Sequence, residues 1–306
     1  MVKLAAVSCP SDARNKQANL DKMIEWAYKG KEQGVDIMVF PEDHLTGLGT
    51  HFMNEFFPPD KLYTIEIAEL VPEGPSTQKM IEVAKDCNMY IAWGMAERDP
   101  NRYDALYNCC VLVGPEGFVG KYRKVHLPLC ERLMVLPGFD YPVFDTKFGK
   151  VGLMTCYDKM YPEVAKSLAL QGADIILCST GWPNLTQSLD DPDHIAYMTI
   201  SPARALENMI VWVEATTCNG AGSDPIFEGH SMILGPNPGQ IFAQIGFEEG
   251  MAVAEVDVEK EIVNARVVSM GGSDINRDRV PSTYWRLTEF NEYQPFSAGL
   301  KNHNED

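Results

Sequence analysis

The chain has 306 residues, 45% hydrophobic and 23% charged, an ordinary globular composition at a length that can bury a substantial core. Its formal net charge of −17, spread along the chain with no lysine/arginine cluster to offset it, argues against nucleic acid or an anionic membrane as partner. No apolar run reaches the roughly 18–20 residues of a membrane span, so no membrane association is expected.

In chain order, KLAAVSC (3–9) reads as a β-strand, its apolar run being too short for the core of a signal peptide. Helical spacing follows over residues 15–33 (Leu20, Met23, Ile24, Ala27), Gly34 stops it, and VDIMVFPE (35–42) is a second, strongly apolar strand. MIEVAKDCN (80–88) predicts a helix and MYIAWGMAER (89–98) a strand. LYNCCVLVGPEGFVGKYRKVHL (106–127) predicts two strands joined through a Gly-Pro-Glu-Gly turn. KVGLMTC (150–156) is again a strand, residues 162–171 a helix and ADIILCST (173–180) a strand. HIAYMTISPARALENM (194–209) is expected to be helical in its second half, ahead of a strand IVWVEATTC (210–218). The hairpins around GPEGFVGKY (114–122) and GPNPGQIFAQIG (235–246) resemble each other, which hints at pseudo-symmetric halves. Alternating strands and helices, with both hairpins and crossovers, predict an α/β layered architecture with a mixed sheet. No linker interrupts the chain, so a single domain is expected over 1–290, with the aperiodic 291–306 as a tail on the surface or against a partner subunit.

The eight cysteines are Cys9, Cys87, Cys109, Cys110, Cys130, Cys156, Cys178 and Cys218. Most lie in or beside apolar runs, where free cysteines behave as small hydrophobes, so free thiols in a reducing cytoplasm are expected. No CxxC pair occurs and the six histidines form no zinc pattern, so no metal is expected.

Four residues draw attention for chemistry. Cys156 ends a strand just before the helix that Pro162 opens; by position it is a core thiol, a disulfide half, a metal ligand or a nucleophile. A nucleophilic reading requires a nearby base and a positive charge, because the thiolate is the attacking species. Glu42 ends VDIMVFPE, either as a solvated strand end or as a carboxylate aimed into a site, where burial would raise its pKa and suit it to general-base work. Lys124 shares a strand face with Tyr122, opposite Lys121, Arg123 and Val125, as part of a surface cluster or as a buried lysine. Glu131, beside Arg132, is a structural ion pair or a functional carboxylate.

Together these segments resemble the nitrilase superfamily of carbon–nitrogen hydrolases. VFPE carries Glu42, YRKVHL carries Lys124 and GLMTCYDKMYPE carries Cys156, in the order of that family's Glu-Lys-Cys triad. ERLMVLPG with Glu131, ARALEN (203–208), EGHSMILGPNPGQIFA (228–243) and RDRVPSTYWRL (277–287) extend the resemblance over nearly the whole chain. It implies a four-layer α-β-β-α sandwich, assembly into homodimers or larger oligomers, and no cofactor. It further implies that Glu42 takes the proton of Cys156, whose thiolate attacks a C=O or C≡N carbon. Lys124 and the backbone N–H of Tyr157 then hold the oxyanion, a thioester forms and water hydrolyses it. Glu131 orients the substrate or Lys124. Tyr157-Asp158 resembles the amidase and carbamoyl-hydrolase branches, whereas nitrilases usually carry Trp-Glu after the nucleophile. Lys159 and Met160 stand where N-carbamoyl-D-amino-acid hydrolases place two arginines, which leaves Lys159 as a single point charge for a substrate carboxylate. Trp182 and Asn184 either line the pocket or form a surface turn. Phe52, Phe56, Phe57 and Tyr63 form an aromatic substrate wall, an oligomer contact or plain core. The expected activity is hydrolysis of a small amide or N-carbamoyl compound, with nitrile hydrolysis or ammonia donation from glutamine to a partner as alternatives.

Overall fold

Two six-stranded β-sheets stacked face to face organise the computed structural model, which describes residues 1–13, 15–47, 58–128, 131–220 and 226–287. The first sheet runs β12(Gly250–Val256)-β1(Val2–Ser8)-β2(Ile37–Val39)-β3(Tyr90–Arg98)-β4(Leu106–Gly114)-β5(Gly117–Arg123). The second runs β11(Ile241–Gln244)-β10(Met232–Leu234)-β9(Val211–Thr216)-β8(Ile175–Thr180)-β7(Gly149–Thr155)-β6(Val143–Thr146). The helices are α1(Lys16–Glu32), α2(Pro58–Ile67), α3(Pro75–Cys87), α4(Glu131–Met134), α5(Pro162–Leu170), α6(Pro192–Asn208) and α7(Val258–Val263).

Period-two alternation splits each strand between two cores. Leu4, Ala6, Ile37, Val39, Ala92, Cys110 and Leu112 of the first sheet meet Leu153, Ile175, Leu177, Val211 and Val213 of the second. The opposite faces bury Ala5, Met38, Ile91 and Val111 against α1 and α3, and Met154, Ile176, Cys178 and Trp212 against α5 and α6. The order of layers is therefore helix, sheet, sheet, helix, as expected. Burial on both faces is why the strands read as unbroken apolar runs. Leu20, Met23 and Ala27 recur at helical spacing, and Asn15 caps α1 by accepting the Ala18 N–H.

The halves repeat each other. In both sheets the successive pairings from β12 or β6 inward are antiparallel, parallel, parallel, antiparallel, antiparallel. The Lys3 N–H donates to Asp36 Oδ2 at 2.9 Å in one half, and the Lys150 N–H donates to Asp174 Oδ2 at 3.0 Å in the other. The hairpins β4–β5 and β10–β11 each carry a register shift, at Leu112/Val113 and at Ile233/Leu234. Superposing Lys3 on Lys150 along the chain places Cys9 opposite Cys156.

Some boundaries differ from the sequence reading. Helix α6 begins at Pro192, capped by Asp191, and runs through Pro202; it is not confined to its second half. Ser201-Pro202 suggests a break, but packing against β9 overrides the missing N–H. Strand β2 has only three residues; beyond it the Phe40 N–H still donates to Ala92 O of β3 at 2.8 Å before the chain crosses over that strand. Strands β6 and β12 lie in short or mixed segments that gave no clear signal. Phe52, Phe56, Phe57, Cys130 and the segment 291–306 lie outside the described residues. The seven described cysteines are free thiols, and no helix among the described residues is long and apolar enough to cross a membrane.

Candidate active site

Three sharp chain turns carry the acidic, basic and thiol groups to one place between the sheets. After β2 the chain crosses over β3: the Gly94 N–H donates to Pro41 O at 3.1 Å, and the Glu42 N–H reaches Thr180 O at 3.4 Å. The crossing is so close that a Cβ on Gly94 would lie 2.1 Å from Asp43 N and 2.7 Å from Glu42 Cα. Lys124 follows β5, its N–H donating to Asn108 O at 2.8 Å. Cys156 follows β7 with φ 44°, in the left-handed region, and opens a turn of 3-10 helix over Cys156–Met160. Backbone in this region is costly for a non-glycine residue and recurs where a side chain must be aimed.

Lys124 sits between two carboxylates. Its Nζ donates to Glu42 Oε1 at 2.6 Å and to Glu131 Oε2 at 2.7 Å, and neither Lys124 nor Glu42 has measurable exposure. Asn108 Nδ2 donates to the remaining oxygen of Glu131 at 2.7 Å and to Glu42 Oε1 at 2.8 Å. The Gly181 N–H donates to Glu42 Oε2 at 3.0 Å. Burial opposes charge on Lys124, but Glu131 and Glu42 outweigh it and hold the ammonium well above the usual lysine range. Glu131 is raised by its own burial, and Lys124 pulls the other way. Burial pushes the Cys156 thiol well above its usual value, as does Glu42; Lys124, Lys159 and the Gly181 N–H act in the opposite direction. The resting sulfur is therefore a thiol, and the adjoining carboxylate and ammonium are the groups that can take its proton and steady a negative charge.

The turn that carries Cys156 is anchored by Asp158, which is fully buried. Its carboxylate accepts from Tyr122 OH at 2.7 Å, from the His126 N–H at 3.0 Å and from the Thr155 N–H at 3.3 Å. It thereby ties the strand end that presents Lys124 to the turn that presents Cys156. Tyr157 lies in the first turn of the 3-10 helix, where the backbone N–H groups have no partner within the helix. Its ring packs edge-on against Tyr161, which stacks on His126 at 3.7 Å.

Glu42, Lys124 and Glu131 thus meet directly, and Cys156 shares their electrostatic environment. Lys124 is buried and shares its face with Tyr122, while Lys121 and Arg123 on the opposite face both pair with Glu97. Glu131 pairs with Lys124, not with its neighbour Arg132. Lys159 differs from the expected point charge for substrate: it is fully buried and its Nζ donates to Glu214 Oε1 at 2.6 Å, with the rings of Trp182 and Tyr197 4.2 and 4.1 Å away. Trp182 is buried, with its indole N–H donated to Asp193 O at 2.8 Å, and is not a surface residue. Asn184 is buried too, donating to Glu228 Oε2 at 2.8 Å. Tyr63 is half-buried in α2. Three participants escaped the sequence reading: Asn108, Glu214 and the structural part played by Asp158. Asn108 and Glu214 are lone polar residues inside apolar strands, LYNCCVLV and IVWVEAT, and that interruption was the available signal.

Residues 3–262 match the family model described as carbon-nitrogen hydrolase. A nitrilase of Pyrococcus abyssi is 35% identical over 94% of this chain and all of its own length. An omega-amidase of Bos taurus is 30% identical over 80% of this chain and 85% of its own. Among solved structures, Nit3 of Saccharomyces cerevisiae aligns with a TM-score of 0.75 and 25% identity, covering 88% of this chain and 95% of that one. An amidase from Nesterenkonia sp. AN1, with a ligand added at its active-site cysteine, aligns with a TM-score of 0.74 at 21% identity, covering 94% of this chain and 100% of that one.

Proposed function

Because the chain belongs to the carbon–nitrogen hydrolase family and is a hydrolase of non-peptide C–N bonds, we propose that Cys156, Glu42 and Lys124 perform that hydrolysis on a small amide or N-carbamoyl compound. One observation carries the proposal: a buried ammonium bridges two buried carboxylates beside a thiol held on a left-handed turn. A structural ion pair would need one carboxylate; the second is positioned for work on a substrate.

In the forward direction Glu42 takes the Cys156 proton as the sulfur attacks the carbonyl carbon. The oxyanion is met by Lys124 and the Tyr157 N–H. Glu42 passes the proton to the departing nitrogen, leaving a thioester on Cys156. Water then gives a proton to Glu42 and attacks the thioester; the C–S bond breaks to release the acid, and Glu42 returns the proton to the departing sulfur, restoring the thiol and the carboxylate. Glu131, fixed by Asn108, holds Lys124 in place and presents a carboxylate to the substrate's amino group. Tyr157 and Trp182 belong to the walls near the nucleophile. Lys159 and Asn184 act through Glu214 and Glu228 and support those walls from behind.

Engagement of Lys159 by Glu214 supports an uncharged or ω-amide substrate over one with a carboxylate beside the scissile group. The omega-amidase relative supports the same class, whereas the relative called nitrilase supports nitriles as a second reading. A panel of aliphatic amides, ω-amides of dicarboxylic acids, N-carbamoyl compounds, glutamine and nitriles, scored by ammonia release, decides between them. Amides or N-carbamoyl compounds are expected to turn over fastest; nitriles ahead of both would overturn the amide assignment. Cys156→Ala is expected to abolish turnover with the far-ultraviolet circular dichroism unchanged, and residual turnover in it would remove the thioester route.

The same reading includes a homodimer. It is supported by exposed apolar side chains near the C-terminal end of the described chain, with Val267, Val268 and Leu287 each about two-thirds exposed. Light scattering on the purified protein is expected to give twice the chain mass or more.

A further inference from the structure

A second constellation lies apart from the catalytic one: His194 at the start of α6, and Glu228 and His230 in the connection from β9 to β10. All three side chains are buried, and one potential ligand atom from each lies within 4.8 Å of the other two. We propose that His194, Glu228 and His230 form a binding site for one divalent first-row transition cation, such as Zn2+, that clips the start of α6 to the β9–β10 connection behind the Trp182 wall. The site is independent of which substrate the enzyme takes.

The donor set argues for this class of ion. Two imidazole nitrogens and one carboxylate oxygen suit zinc and its neighbours, while calcium and magnesium prefer oxygen donors. His194 Nδ1 lies 2.5 Å and His230 Nδ1 3.1 Å from the same oxygen, Glu228 Oε1. Around a tetrahedral ion with bonds of about 2.0–2.1 Å, ligand atoms stand roughly 3.3 Å apart. His230 is already near that separation, and His194 needs to move outward by less than about 1 Å.

The surroundings are those of a held ligand. Asn184 Nδ2 donates to the other oxygen, Glu228 Oε2, at 2.8 Å, and Asn184 Oδ1 accepts from the Gln187 N–H at 2.8 Å, so the carboxylate is oriented from behind. Glu228 has no measurable exposure, and among the described residues no lysine or arginine pairs with it. A buried carboxylate whose partners are two imidazoles and an amide presents the donor set that a cation can occupy. The backbone makes a consistent provision: Gly229 (φ 62°) and His230 (φ 52°) are successive left-handed residues that fold the imidazole back onto Glu228. A Cβ on Gly229 would lie 2.7 Å from Phe247 O, so no other residue fits that turn.

The location gives the ion a consequence. The Glu228 N–H donates to Trp182 O at 2.9 Å, and Trp182 Nε1 donates to Asp193 O, next to His194. The ring of Trp182 covers Lys159, on the same turn as Cys156. An ion would fasten the start of α6 to the β9–β10 connection around that ring.

The test uses the full chain carrying Cys156→Ala, so that the nucleophile cannot supply a ligand. After chelator treatment it is titrated with Zn2+ by calorimetry and with Co2+ by visible absorption, and its melting temperature is followed. The expected result is one equivalent per chain, a raised melting temperature, and a Co2+ spectrum without a sulfur charge-transfer band. Glu228→Gln, which preserves shape, and His194→Ala are each expected to weaken binding at least about tenfold. No binding by the chelator-treated protein, binding undiminished by the substitutions, or a sulfur-to-cobalt band would each overturn the proposal. If a variant fails to fold, His230→Gln takes its place, and the titration of the unsubstituted site still decides.

Discussion

Cys156 has a thiol whose neighbours pull in opposite directions. Burial and Glu42 favour the protonated form; Lys124, Lys159 and the Gly181 N–H favour the thiolate. Because the raising influences win, alkylation of the free enzyme by iodoacetamide is expected to climb steadily with pH, with no plateau below the ordinary thiol value of 9.0. A plateau near neutrality would show a resting thiolate. Lys159 offers a second test. Lys159→Met alone leaves Glu214 buried without its cation and is expected to cost about 3–5 kcal/mol in urea unfolding, whereas Lys159→Met with Glu214→Leu should recover most of that loss. Cys156, Glu42 and Lys124 stood out in the sequence because their three segments, in order, resemble the Glu-Lys-Cys blocks of the family; position along a strand left each of them with a structural alternative. The pairing of Lys159 with Glu214 could not be read there, because 55 residues separate them and the packing of the Cys156–Met160 turn on β9 is what joins them.

At the scale of elements, the site depends on how closely a turn can approach a strand. Gly94 is the clearest case: Glu42 and Asp43 cross β3 there at a distance that excludes a side chain. Gly94→Ala is expected to destabilise the fold by about 1–3 kcal/mol, as overpacking does, and to lower kcat more than it raises KM, because Glu42 is displaced. Equal kcat in that variant would show that Glu42 need not be held to this precision. The repeated halves make the same point by comparison. Cys9 follows β1 as Cys156 follows β7, yet Cys9 contacts His44 at 3.4 Å, and among the described residues the lysine that acts on it is the part-exposed Lys22, not a buried one between two carboxylates. Equivalent strand ends therefore do not have equivalent chemistry; the flanking loops decide it. The hairpin resemblance in the sequence was a true sign of this repeat. The extent of α6 is not legible in the sequence because Pro202 is a strong local signal, and tertiary packing of Tyr197 and Ala205 outweighs it.

For the molecule as a whole, burial of many thiols sets a direction for pH dependence. Cys110 and Cys218 are pushed up to about 12 by burial, and Cys9, Cys109 and Cys178 are raised by the same cause. Above the ordinary thiol value of 9.0 the unfolded chain releases protons that the native chain retains, so the unfolded state binds fewer and stability falls as pH rises toward 12. Urea midpoints are expected to decline between pH 8 and 10, and a flat profile would contradict the burial. The alternation of strands and helices, the α/β class and the segments that carry Glu42, Lys124 and Cys156 were legible in the sequence itself, whereas the order of strands in each sheet came from the structure. Apolar runs, turn residues and strand-end side chains are local signals, and a fold with both sheet faces covered requires them. Which polar residues meet was decided by tertiary structure alone. Asn108 between two glutamates, Lys159 on Glu214, and His194 with Glu228 and His230 are contacts between distant segments, created when two sheets and their helices close over groups that cannot stay buried without partners.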